Sequence, residues 1–214
     1  MRWIIEISGY SILIPLLCGV IYFKSLSDIH KKFLWFILFS TFFEAAVTYV
    51  GVTYGNNLWM FKVFLICDFI FFVWFFNKIY PYSLIDRVVV AVVVLFLLTD
   101  YFILQTYFSI NDRVSLFHLT FFLFFIYQSA YIITKTFDNV QGNILRNYIF
   151  WIAFARLFYY LIIVFIFIYP NFVSSDHNNE FYDNADATIN SVANILLNIL
   201  YAISFTCLKV KNSY

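Results

Sequence analysis

The sequence predicts an all-α fold, a polytopic bundle of seven transmembrane helices with its N-terminus out and its C-terminus in. Three observations predict it. Apolar residues make up 64% of the 214 positions and charged residues only 12%, whereas a soluble domain carries about 25% charged residues. Seven apolar stretches fill the chain, each about 20 residues or longer, the length that takes a helix across about 30 Å of hydrocarbon. Lys and Arg fall almost entirely on alternate connections between those stretches.

With a mean hydropathy of +0.85, the chain cannot cover a water-facing surface, so lipid is its solvent. Every backbone N–H and C=O must then be satisfied within the protein, and spans of this length must be helices. A β-barrel would need alternating segments of about ten residues, and none occurs.

The first span covers 3–23, with Pro15 as its one interruption, and runs into Lys24. It has no basic region beyond Arg2 and no small-residue cleavage site, so it reads as a span and not a removed signal peptide. The second span, 33–54, follows the polar connection Lys24 to Lys32. Gly55-Asn56-Asn57 separates it from the third, 58–80, and Pro81-Tyr82-Ser83 leads into the fourth, 84–106. Asn111-Asp112-Arg113 precedes the fifth, 115–136, and Asp138 to Arg146 precedes the sixth, 147–169. A longer connection, Pro170 to Ala187, leads to the seventh, 188–208. Tight connections make sequential spans antiparallel neighbours and leave one transmembrane domain over 1–214.

Orientation follows from charge. Lys24, Lys31, Lys32, Lys78, Arg87, Lys135, Arg146, Lys209 and Lys211 occupy one side, against Arg2 and Arg113 on the other. The positive-inside rule makes the first side cytoplasmic. Asp176, Glu180, Asp183 and Asp186, with no Lys or Arg among them, place the long connection outside. Tyr49, Tyr54, Trp59, Tyr80, Tyr107, Tyr148, Trp151 and Tyr169 lie near span ends, as an interfacial belt does.

Polar groups inside the spans carry the functional information. A charge at the centre of a span costs about 2.5–3.5 kcal/mol on insertion scales, so such groups face the bundle interior and pair. Glu44 in span two, Asp68 in span three and Arg156 in span six lie near mid-membrane. Arg is not deprotonated in proteins, whereas a carboxylate can take up a proton, so Arg156 needs at least one ionised acid. The other acid is left as a titratable site. The same three residues equally suit a clamp that joins helices two, three and six.

Asn190, Asn194 and Asn198 recur every four residues and share one face of span seven. That face is either a hydrogen-bonding stripe between helices or the wall of a hydrated cavity, and Ser191 and Ser204 add smaller polar groups nearby along the helix. Glu6, Lys62, Asp100, His118 and Asn190 are expected near the outer surface, where they can rim a vestibule above the mid-membrane charges; taken singly, each suits an interfacial role.

Several chemistries are excluded. His30 falls in an inner connection and His177 in an outer one, so no metal site follows from the histidines. Span seven has no mid-membrane Lys for a retinal Schiff base, and Gly142 stands alone, without a phosphate-binding glycine loop. Cys18, Cys67 and Cys207 lie inside apolar spans as fillers. A net charge of +1 gives no basic face for nucleic acid. No cofactor is implied.

Glu44, the run Asn56-Asn57-Leu58-Trp59, Asp68-Phe69, Trp151 and the pair Asn198 and Tyr201 give the chain a resemblance to a set of small, uncharacterised seven-span bacterial inner-membrane proteins. The resemblance covers nearly the whole length with loose motifs. It implies a multi-pass protein of the bacterial inner membrane with acidic residues in the second and third spans, at Glu44 and Asp68; it does not extend to Arg156. Three functions remain in view. The favoured one is a non-enzymatic receptor-like or regulatory or assembly module acting through a membrane or cytoplasmic protein partner. The second is a small-molecule or proton-coupled transporter using intramembrane carboxylates, for which no internal repeat is visible. The third is an intramembrane lipid-modifying enzyme with paired carboxylates.

Overall fold

The computed structural model describes residues 2–55, 57–99, 116–140, 142–173 and 180–207. The described residues form helices α1 (Arg2–Ser11), α2 (Leu13–Ile21), α3 (Asp28–Tyr54), α4 (Leu58–Ile79), α5 (Leu84–Thr99), α6 (Leu116–Asn139), α7 (Tyr148–Val173) and α8 (Glu180–Thr206). Short 3-10 turns occupy Phe23–Ser25 and Ile144–Arg146, and the described residues contain no strand. Among the described residues, five stretches are long and apolar enough to cross a membrane: Trp3–Ile21, Asp28–Tyr54, Trp59–Ile79, Tyr148–Ile166 and Ala187–Thr206. α5 and α6 are helical where the fourth and fifth spans are expected.

Local chemistry sets the boundaries. α1 and α2 are one rod broken at Ile12, three residues before Pro15, whose ring opposes the carbonyl four residues back and which has no N–H to give it. α3 begins earlier than the sequence suggests, because the Ser27 hydroxyl accepts a bond from the His30 N–H and caps the helix at Asp28. His30, expected in an inner connection, is therefore helical and buried. α3 closes on Gly55 at φ 73°, whose N–H donates to the Gly51 carbonyl; glycine adopts this left-handed backbone without steric penalty. Ser83 and Asp86 cap α5 reciprocally, each N–H donating to the other's side chain.

The expected outer connection Pro170 to Ala187 is largely helix, since α7 runs to Val173 and α8 starts at Glu180. Hydropathy marks where a helix leaves hydrocarbon, not where its hydrogen-bond ladder ends. Cys207 lies one residue beyond α8 and not inside a span, with its Sγ 3.4 Å from the Leu145 carbonyl.

α7 and α8 form the centre of the bundle. α7 packs along α6 on one side and α8 on the other, α8 is flanked by α1 and α2, α3 joins α2 to α4, and α5 lies on α6. One core cluster gathers Phe33, Phe72, Phe75, Phe76, Ile152 and Phe205; the other gathers Phe69, Phe121, Phe125, Tyr160 and Ile163. Outward faces stay apolar, with Val52, Leu84, Ile21 and Leu95 all largely exposed. Faces of this kind suit contact with lipid.

Candidate functional site: a sealed charge pair and an unpaired acid

Asp68 and Phe72 lie four residues apart on α4, and Arg156 and Tyr160 lie four apart on α7. The i, i+4 spacing puts each charge beside its own ring on one helix face. Where the two helices meet, the four groups cross over. The Arg156 guanidinium donates through Nη1 to Asp68 Oδ1 and through Nη2 to Oδ2, both at 3.0 Å. The Tyr160 hydroxyl donates to Oδ2 at 2.9 Å. The guanidinium lies 3.4 Å from the Phe72 ring centroid and 4.3 Å from that of Phe125 on α6. Tyr201 of α8 faces the same guanidinium.

Arg156 is 2% exposed and Asp68 3%. A two-pronged guanidinium–carboxylate pair is the strongest ionic geometry available to side chains, and the rings add cation–π attraction in a dry setting. Among the described residues Arg156 Nε has no partner. The site therefore joins α4, α6, α7 and α8 around one pair of charges.

Glu44 stands outside that pair. Its carboxylate is half-buried, facing α1 at Gly9, where an added Cβ would lie 3.9 Å from Oε1, and it neighbours Tyr159 of α7. No hydrogen bond or ion pair reaches it among the described residues. The expected layer of three charges is thus a pair, with Glu44 set to one side. Sequence depth placed all three together; it carried no information on helix rotation, which decides which acid meets Arg156.

The asparagine stripe is a helix contact where it is buried. Asn198 Nδ2 donates to Ser11 Oγ at 2.7 Å, and Asn194 Nδ2 donates to Ser8 Oγ at 3.1 Å. Ser11 Oγ in turn donates to the Ser8 carbonyl at 2.6 Å. These bonds tie α8 to α1, while Asn190 is exposed. Of the expected vestibule, Asp100 lies outside the described residues. Lys62 and His118 are half-buried neighbours on α4 and α6, and Glu6 on α1 is exposed.

Two polar groups escaped the sequence reading. Asp86, 5% exposed, accepts from the Ser83 hydroxyl at 2.6 Å and from the Tyr127 hydroxyl at 2.8 Å, so α5 is pinned to α6. Gln128 donates to the Tyr82 hydroxyl at 2.6 Å. The signal for Asp86 was present as Ser83-Leu84-Ile85-Asp86, a helix-start pattern. His30 is stacked on Tyr148 at 4.3 Å and on Phe205 at 4.7 Å.

No protein-family model, curated protein or solved structure matches the chain.

Proposed function

We propose that the chain is a seven-span protein of the bacterial inner membrane, N-terminus out, that works as a non-enzymatic regulatory or assembly module through a partner protein. The observation that carries this reading is the contrast between its two mid-depth acids. Asp68 is saturated by Arg156 and Tyr160 and walled by Phe72 and Phe125. A substrate cannot reach it without separating four helices. Such a pair is a latch.

Glu44 has no partner within the described residues, and next to it α3 exposes Ala45, Ala46 and Thr48. Small residues let a second helix approach closely, and a polar group in hydrocarbon favours an interhelical hydrogen bond. An approaching helix that donates to Glu44 would complete a contact this chain leaves open. The test is a photo-crosslinking amino acid at Ala45 in native membranes. One protein adduct is expected, with its yield reduced several-fold by Glu44→Gln. Lipid adducts alone, together with solute movement by the purified protein in liposomes, would overturn the reading in favour of a carrier built on Glu44.

A further inference from the structure

Where α3 begins, α4 ends and α7 begins, three helix termini border an open cavity of about 370 Å³. Lys32 of α3 and Lys78 of α4 line it, Trp74 and Ile79 give it an apolar wall, and Tyr148 of α7 completes the lining. Asp28 also lines it, but its carboxylate lies 3.7 Å from Lys31. Among the described residues neither Lys32 nor Lys78 has a carboxylate partner. Two lysines against one carboxylate, itself shared with Lys31, leave the cavity lining net positive.

Its wall is fixed. The Tyr148 ring stacks on His30 at 4.3 Å with 12° between planes, His30 stacks on Phe205, and the Ser27 hydroxyl approaches the Tyr148 oxygen at 3.5 Å. Trp74 and Lys78 are four residues apart on α4, so indole and ammonium lie one above the other. That is the order in which an indole sits at headgroup depth and a lysine reaches past it toward water. On the far side of Trp74 a second cleft of about 470 Å³ runs along Ile70, Val73, Val90 and Val94, with Arg87 in its lining. Cations thus stand over aliphatic walls on both sides of the end of α4.

We propose that this cavity binds an anionic phospholipid, with the headgroup phosphate between Lys32 and Lys78 and the start of the acyl chains against Trp74 and Ile79. Charge complementarity selects an anion, and the apolar wall beside the cations selects one that carries hydrocarbon; basic clefts between membrane helices hold lipid headgroups on this principle. A free phosphate would use the lysines and leave the wall idle.

The experiment is thermal unfolding of the purified protein in neutral detergent, with phosphatidylglycerol or phosphatidylcholine added. The wild type is expected to gain Tm with phosphatidylglycerol only. Lys32→Gln/Lys78→Gln is expected to lose that gain while keeping its Tm in phosphatidylcholine, and Lys24→Gln/Lys135→Gln, whose cations lie outside the cavity, to keep it. The proposal is overturned if phosphatidylglycerol gives no gain, if the Lys32/Lys78 double variant retains it, or if inorganic phosphate alone reproduces it.

Discussion

Arg156 and Asp68, 88 positions apart, bind each other through two parallel contacts of 3.0 Å, and each is met by an aromatic residue from the other's helix, Phe72 at the guanidinium and Tyr160 at the carboxylate. The arrangement is closed: the carboxylate also takes the Tyr160 hydroxyl, and the guanidinium is covered by Phe72 and Phe125. Breaking one side of a buried pair leaves an uncompensated charge, at a cost of about 3–5 kcal/mol in soluble proteins.

The single variants Asp68→Asn and Arg156→Gln should therefore each lower the Tm in detergent markedly. Asp68→Asn/Arg156→Met, which removes both charges and keeps the stem over Phe72, should recover a large part of the loss. A double-mutant cycle by thermal unfolding reads the coupling. Additive losses would show that the two residues do not act as a pair.

Tyr160→Phe removes one of three bonds to Asp68 and keeps the ring beside Phe125, 4.6 Å away between centroids. The expected loss is that of one hydrogen bond to a charged group, about 1.5–3 kcal/mol, smaller than the loss in Asp68→Asn. Urea or thermal unfolding in mild detergent ranks the two.

At the α1–α8 seam, Asn198→Leu removes the bond to Ser11 Oγ and leaves that buried hydroxyl without its donor. Interhelical hydrogen bonds in membranes average about 0.6 kcal/mol, so the global Tm should fall only slightly. Cysteine crosslinking between α1 and α8 should slow more visibly, because the Asn–Ser bonds set the register of the two helices.

Gly55 ends α3 at φ 73° and Gly51 sits under the Asn57 side chain, where an added Cβ would lie 2.7 Å from Nδ2. Asn57 donates to the Val47 carbonyl from that position at 3.1 Å. Gly55→Ala should cost about 1–2 kcal/mol through the left-handed backbone alone. Gly51→Ala should displace Asn57, and Asn57→Ala should remove most of that further penalty. Comparing the Tm of the three variants separates strain from displacement.

Much of the fold was legible because lipid imposes few options. Low charge, long apolar runs and polar connections place some helices to within a few residues, as in Leu58–Ile79 for the expected 58–80 and Leu116–Asn139 for 115–136, while α3 and α8 begin five and eight residues earlier than expected. The rest was hidden for identifiable reasons. Helices apolar all round give no rotational signal, so Glu44 and Asp68 looked equivalent as partners for Arg156. The spacings Asp68 to Phe72 and Arg156 to Tyr160 were the available clue, a charge and a ring on one face in each helix. His30 looked like a loop residue because Lys31 and Lys32 follow it, although Ser27-Asp28 before it is a helix-start pattern. The polar run ahead of Ala187 looked like a loop because a helix that leaves the bilayer turns polar without unwinding.

A co-purification from native membranes in mild detergent compares the folded, charge-free latch Asp68→Asn/Arg156→Met with Glu44→Gln, each against wild type. A latch that only holds helices together, beside an acid that meets a partner, predicts that the double variant keeps the co-purifying protein while Glu44→Gln, at unchanged Tm, loses it. Loss of the partner from the folded double variant and its retention by Glu44→Gln would contradict the assignment of both residues.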